Sequence, residues 1–312
     1  MSQLPPIIFL FGPTASGKTD CALALCEKFP LEIISVDSAM VYQDMNIGTA
    51  KPSPDILAKT PHHLIDIIKP NEIYSVANFY EAANQHIKAI HAKGKIPLLV
   101  GGTMMYFKAL EQGIAALPEK NNQVREKLIL EAEQFGLQQL HQRLKNVDPI
   151  SASRIHENDP QRILRALEIY EISKKPMSAY LSEQASQQPA YVIHKFALNF
   201  SDRAVLHQRI EQRFDLMLSA GFIDEVIKIQ ASYQCDASMP SMRTVGYRQA
   251  LAYLNDQCSK AEMREKAIIA TRQLAKRQLT WLRSWPDVNW YETNKYQSLM
   301  QAVAAIGAKH CK

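Results

Sequence analysis

The chain has 312 residues, 46% hydrophobic and 21% charged, with 36 Lys/Arg against 31 Asp/Glu for a net charge of +5. These figures exclude a disordered, fibrous or strongly acidic protein and suit one large domain carrying an insertion, or two domains. No apolar run approaches the roughly 20 residues that span a bilayer, and the start, MSQLPPIIFLFG, lacks a basic n-region, so no membrane contact and a cytoplasmic location are expected.

The run IIFLF at 7–11 is short, wholly apolar and cut off by Gly12-Pro13, the pattern of a central parallel strand buried on both faces. Between it and a helical stretch with Ala22, Leu25 and Phe29 stands GPTASGKT, which fits G-x-x-x-x-G-K-[ST] at every fixed position. That loop cradles phosphates. Its backbone N–H groups and the following helix N-terminus surround an anion, Lys18 adds a point charge, and Thr19 is placed to coordinate Mg²⁺. Gly12 and Gly17 let the backbone approach where a Cβ would collide. The diphosphate-binding stretch is therefore Gly12, Pro13, Thr14, Ala15, Ser16, Gly17, Lys18 and Thr19.

A second strand, LEIISV at 31–36, runs into Asp37-Ser38 and completes a βαβ unit. Asp37 is a candidate proton acceptor or holder of a metal-bound water, Ser38 a candidate donor to substrate, and a loop cap is the competing role for the aspartate. In PHHLIDI, His62 and His63 have no H-E-x-x-H frame and read as loop or packing residues. Ser75 caps a helix running to about Lys93, with Phe79, Ala82, Ala83, His86, Ile87 and Ile90 inward and Gly94 as its stop. The strand IPLLV at 96–100 ends at Gly101-Gly102, followed by Thr103. Three buried strands with helical crossovers predict an α/β fold with a P-loop NTPase-like parallel sheet, and its ligand site at the carboxyl ends of the strands, where Gly12–Thr19, Asp37 and Thr103 fall.

After Pro118 the pattern is helical. Val124, Leu128, Ala132 and Phe135 form one stripe, Leu140 and Leu144 continue it, Asp148-Pro149 breaks it, and Asp159-Pro160 starts a helix to about Lys174. Residues 118–190 are thus a candidate helical insertion ending in the Ser/Gln-rich SEQASQQPA, and the core comprises 1–117 and 191–312. VIHKFALNF at 192–200 alternates like a returning strand, and the remainder is a helical C-terminal region with Gly221 as a C-cap. The five cysteines at 21, 26, 235, 258 and 311 show no C-x-x-C pair and are expected to be free thiols.

The excess positive charge is localised. From Arg243 to Arg283 nine Lys/Arg face three acids, leaving 27 basic and 28 acidic residues elsewhere. Arg272, Lys276 and Arg283 share a helical face, as do Arg162 and Arg165, a footprint that suits a polyanion when it is not simply solvated. Tyr247, Trp281 and Trp285 are candidates for base stacking, against core or anchor roles. The residues alone leave three readings open: transfer of an alkyl group from a diphosphate to RNA, an ATP-dependent small-molecule kinase, and a non-catalytic nucleic-acid-binding NTPase. No N-K-x-D guanine motif occurs.

GPTASGKT, VDSAMVYQDMNIGTAKP, PHHLIDI, YSVANF, PLLVGGTMMYFKAL, DPISASRIHENDPQRILRALEIY, RTVGYRQAL and TRQLAKRQLTWLR follow in an order that resembles the bacterial tRNA dimethylallyltransferases, from about Ile7 to Arg283. The resemblance implies transfer of dimethylallyl from dimethylallyl diphosphate to N6 of the adenosine immediately 3′ of the tRNA anticodon, with Mg²⁺ as cofactor. It implies Asp37 as base, Lys18 on the diphosphate and Thr103 close to the reacting groups. Contact with the tRNA anticodon stem-loop is implied for Asp37, Ser38, Ala39, Met40, Thr103 and Arg125, and for Gln161, Ile163 and Leu164 with Arg162 and Arg165. The same is implied for Arg243, Thr244, Val245, Gly246, Tyr247 and Arg248, and for Lys276, Arg277, Gln278, Leu279, Thr280, Trp281, Leu282 and Arg283. A monomer is expected.

Overall fold

The computed structural model describes residues 4–184, 190–293 and 295–310. In chain order it begins β1 (Pro6–Phe11), α1 (Lys18–Lys28), β2 (Leu31–Val36), α2 (Pro54–Lys59), β3 (His62–His63), α3 (Val76–Ala92), β4 (Ile96–Gly101) and α4 (Met104–Gln112). There follow α5 (Asn122–Phe135), α6 (Leu137–Val147), α7 (Pro149–Arg154), α8 (Pro160–Ser173) and α9 (Met177–Gln184). The chain then returns through β5 (Val192–Asn199), α10 (Arg203–Ser219), α11 (Phe222–Tyr233), α12 (Tyr247–Leu254), α13 (Lys260–Arg283), β6 (Asn289–Glu292) and α14 (Tyr296–His310).

Among the described residues six strands lie parallel in one sheet, ordered β3-β2-β4-β1-β5-β6. The sheet is covered on both faces, which is why β1 is apolar throughout and fully buried. Its side chains alternate between two cores: Ile7, Phe9 and Phe11 pack with α3, α4 and Leu282 of α13, while Ile8 and Leu10 pack with α1 and α14. A third core joins α10 to α13 with Val41, Tyr42 and Met45. Gly101 is fixed by the sheet itself: a Cβ there would stand 2.0 Å from the Val36 carbonyl oxygen.

The chain divides into two compact units, one of Met1–Glu111 with Ala190–Lys312, the other Gln112–Pro189. The second unit has its own core of Leu128, Leu140, Leu144, Ile155, Ile163 and Leu167. Several local expectations change. Asp148 does not merely end a helix; its carboxylate accepts the Ser151 N–H and caps α7 directly. Phe135 leaves the stripe and is 52% exposed. Gly221, at φ 93°, both follows α10 and begins α11. β5 is continuously buried from Lys195 to Leu198 rather than alternating, because it lies between β1 and β6. His62 and His63 form the edge strand β3, and His63 Nε2 bonds Glu32 at 2.7 Å while its ring stacks on His86. Cys21, Cys26, Cys235 and Cys258 are free; Cys311 and the segment 185–189 of the Ser/Gln-rich stretch lie outside the described residues.

Candidate active site

A cleft of about 1230 Å³ opens at the carboxyl ends of β1, β2 and β4, where the strand order reverses around β1. Single small-ligand pockets occupy roughly 300–1,000 Å³, so this one has room for a diphosphate and a second reactant.

The loop after β1 lines this cleft. Ala15 and Gly17 take positive φ, 63° and 79°, and curl the backbone around the start of α1. Gly12 permits the turn, since a Cβ would lie 2.5 Å from Ser16 Oγ and 2.9 Å from the Leu198 carbonyl oxygen. Gly17 leaves the N-terminus of α1 without a side-chain cap, so its first-turn N–H groups remain for an anion. Lys18 Nζ donates to the carbonyls of Gly12 (2.8 Å) and Pro13 (2.7 Å). Burial pushes its ammonium down to about 7, with the Arg213 charge acting the same way and the Asp37 charge opposing.

Two further cations come from α10, one turn apart, and sequence reasoning passed over both. Arg209 Nε donates to the Ala15 carbonyl at 3.1 Å, and Arg213 donates to the Thr49 carbonyl at 3.3 Å. Burial lowers the Arg213 guanidinium from its ordinary value, as does Arg209, while Asp37 raises it. The available signal was the pair of arginines at i and i+4 after a returning strand; which loop they meet depends on how α10 docks.

Asp37 follows β2 and lines the same cleft. Its Oδ1 accepts the N–H groups of Ala39 (2.8 Å) and Met40 (3.3 Å), which fixes the carboxylate as a turn cap. The cap role is thus present, while among the described residues Oδ2 takes no hydrogen bond and Asp37 lines the cleft. Thr103 Oγ1 accepts the Ser38 N–H at 3.1 Å and donates to Ser38 Oγ at 3.4 Å, joining the ends of β2 and β4. The Asn46–Gly48 part of the cleft lining is built on Glu225, which accepts the N–H groups of Asn46 (2.9 Å), Ile47 (2.6 Å) and Gly48 (3.0 Å) and the Tyr247 hydroxyl (2.6 Å).

Ala39, Met40, Thr244, Val245, Gly246, Arg277, Gln278 and Trp281 also line this cleft. Arg243, Arg248, Lys276, Thr280 and Arg283 are exposed. Ile163, Leu164, Tyr247, Leu279 and Leu282 have their side chains buried in hydrophobic cores, which for Tyr247 is the core role weighed against base stacking. Trp285 is 9% exposed and its Nε1 donates to Glu111, an anchor role. Arg272 pairs with Glu211 at 3.4 Å, so its charge is partly spent inside the protein. In the second unit Arg165 bonds Glu168 at 2.9 Å and the Pro118 carbonyl at 2.7 Å, Arg125 lies 3.6 Å from Glu168, Arg162 pairs with Asp159, and Gln161 is exposed.

Residues 40–285 match the family described as IPP transferase. Among solved structures, a full-length tRNA isopentenylpyrophosphate transferase of Bacillus halodurans is 32% identical, covering 99% of this chain and 98% of that one at a TM-score of 0.72. A tRNA delta(2)-isopentenylpyrophosphate transferase of Staphylococcus epidermidis is 35% identical over 98% of this chain and 99% of its own, with a TM-score of 0.70. A eukaryotic dimethylallyltransferase acting on tRNA is 26% identical, covering 98% of this chain and 79% of that one, at a TM-score of 0.80.

Proposed function

The chain belongs to the IPP transferase family, and from that premise we propose that its cleft moves a dimethylallyl group from dimethylallyl diphosphate to N6 of the adenosine immediately 3′ of a tRNA anticodon. It is an enzyme of tRNA prenylation. The observation that carries the finer reading is the mixed polarity of one cleft, which is lined by Lys18, Arg209, Arg213 and an uncapped helix N-terminus and also by the Asp37 carboxylate, whose charge acts on Lys18 and Arg213.

The chemistry follows from that polarity. N6 forms a bond to C1 of the dimethylallyl group as the bond from C1 to the bridging oxygen breaks, and the electron pair leaves with the diphosphate. The exocyclic amine is a weak nucleophile, so the departing charge must be stabilised as it develops. Lys18, the loop N–H groups and the α10 arginines do this. Asp37 Oδ2 accepts the N6 proton while Oδ1 stays anchored to Ala39 and Met40. Thr103 and Ser38 lock each other beside it. The adenine reaches this depth only when flipped from its stack. The Lys276, Arg277 and Arg243–Arg248 stretches offer the backbone contacts that offset the cost of unstacking, the anticodon stem-loop being the part of tRNA engaged.

Mg²⁺ would be held here by the Thr19 hydroxyl, which lines the cleft beside Lys18. Bound there it supplies further neutralisation of the leaving group. No helix among the described residues is long and apolar enough to cross a membrane, and we place the reaction in the cytoplasm, with a monomer as the working unit.

The test is incubation with Mg²⁺, dimethylallyl diphosphate and unmodified tRNA, then nucleoside mass spectrometry. One dimethylallyl group on the adenosine 3′ of the anticodon is expected; alkylation of another position, or none, would reject the reading.

A further inference from the structure

Gln278 occupies a position on α13 that the family resemblance assigns to RNA, yet both ends of its amide are used inside the protein. Its Oε1 accepts the Thr14 N–H at 2.9 Å, and its Nε2 donates to the Gly102 carbonyl at 3.0 Å. One side chain therefore ties the loop after β1 to the loop after β4. Only Asn and Gln carry an acceptor and a two-proton donor on one rigid plane, and the reach from α13 suits the longer of them. Gly102 is shaped to receive it: a Cβ there would stand 2.3 Å from Gln278 Nε2. The amide engaged, that of Thr14, precedes the helix N-terminus, so the strut leaves the first-turn N–H groups of α1 free for the diphosphate.

We propose that Gln278 is a positioning residue that sets the gap between the diphosphate cradle and the Gly102–Thr103 segment bearing on Ser38 and Asp37. The inference rests on the prenyl-transfer reading above. Alkylation needs N6 and C1 within about 3–3.5 Å, and a misplacement of about 1 Å costs on the order of a hundredfold in rate. The diphosphate is held by one loop, and the other carries Thr103, which bonds Ser38 next to the Asp37 carboxylate. A strut between those loops therefore acts on the bond-making step and leaves the binding of each substrate largely alone.

Gln278→Met keeps the length and removes both hydrogen bonds; Gly102→Ala displaces the strut from its far side. For each, the single-turnover rate is measured at saturating tRNA and dimethylallyl diphosphate, with dissociation constants for both. The expected result is a rate about tenfold to a hundredfold lower with dissociation constants changed less than about threefold. Hydrogen exchange in the unliganded wild-type chain gives an arm that needs no variant, because the Thr14 amide should be protected. Unchanged rates in both variants, an unprotected Thr14 amide, or tRNA binding weakened with the rate intact would each overturn the strut. A wild-type chain that fails to alkylate tRNA would overturn the functional reading and this inference together, whereas an active wild type beside indifferent variants overturns the strut alone.

Discussion

In the helical unit Arg125 and Arg165 close on the buried carboxylate of Glu168 and Arg143 joins Glu131 to Glu171, whereas in the cleft Lys18, Arg209 and Arg213 bond backbone carbonyls. The first arrangement satisfies its charges within the fold. The second brings cations together in a partly desolvated place, which costs free energy in the empty protein and is offset when a polyanion enters. Sequence counts register both as basic residues; pairing separates a cation neutralised by a carboxylate within the fold from one bonded only to carbonyls.

Five measurements break or sharpen this contrast. The largest effect is expected for Asp37→Ala, which faces the cleft cations: turnover should fall about a thousandfold with tRNA affinity nearly unchanged, and an active variant would remove Asp37 as the base. Next is the opposite kind of site, Glu168→Gln, where removing one member of a buried cluster should lower stability by about 3 kcal/mol in urea unfolding. A small loss would show that the paired arginines are not structural after all. Arg213→Gln should weaken dimethylallyl diphosphate binding about tenfold to a hundredfold, read by calorimetry, without the stability loss seen at Glu168.

The fourth concerns pH. Lys18 is held down to about 7 in the free chain, and a bound diphosphate favours its charged form, so binding takes up a proton above that value. Affinity should therefore hold below pH about 7 and fall as pH rises, approaching tenfold per unit, and Lys18→Met should flatten the profile. Affinity that rose with pH would contradict the assignment. The smallest effect separates cations on α13 itself. Lys276→Ala and Arg277→Ala should each reduce the salt slope of tRNA binding by about 1, while Arg272→Ala, already paired with Glu211, should change it less.

What was legible in the sequence was local. β1, the phosphate loop and α1 form one continuous pattern, and Asp37 and Thr103 follow directly from strands whose apolar runs announce their ends. β3 and β6, of two and four residues, are too short to show a period and were passed over. Arg209 and Arg213 were missed because nothing near them in the chain names the loop they meet, 194 and 164 residues away. At Tyr247, Leu279 and Leu282 membership in a motif says nothing of burial, which the packing of α10 to α13 and the sheet decides. Glu225, the anchor of the Asn46–Gly48 turn, reads in sequence as an ordinary acid at a helix start.

The central claim, that the cleft discharges its diphosphate from carbon, is tested most directly with dimethylallyl diphosphate carrying oxygen-18 in the bridge between C1 and phosphorus. With tRNA as acceptor, the account predicts that all the label leaves in the diphosphate as the adenosine gains the prenyl group. Label recovered in dimethylallyl alcohol, with the diphosphoryl group passed to water or another acceptor, would show cleavage at phosphorus and contradict it.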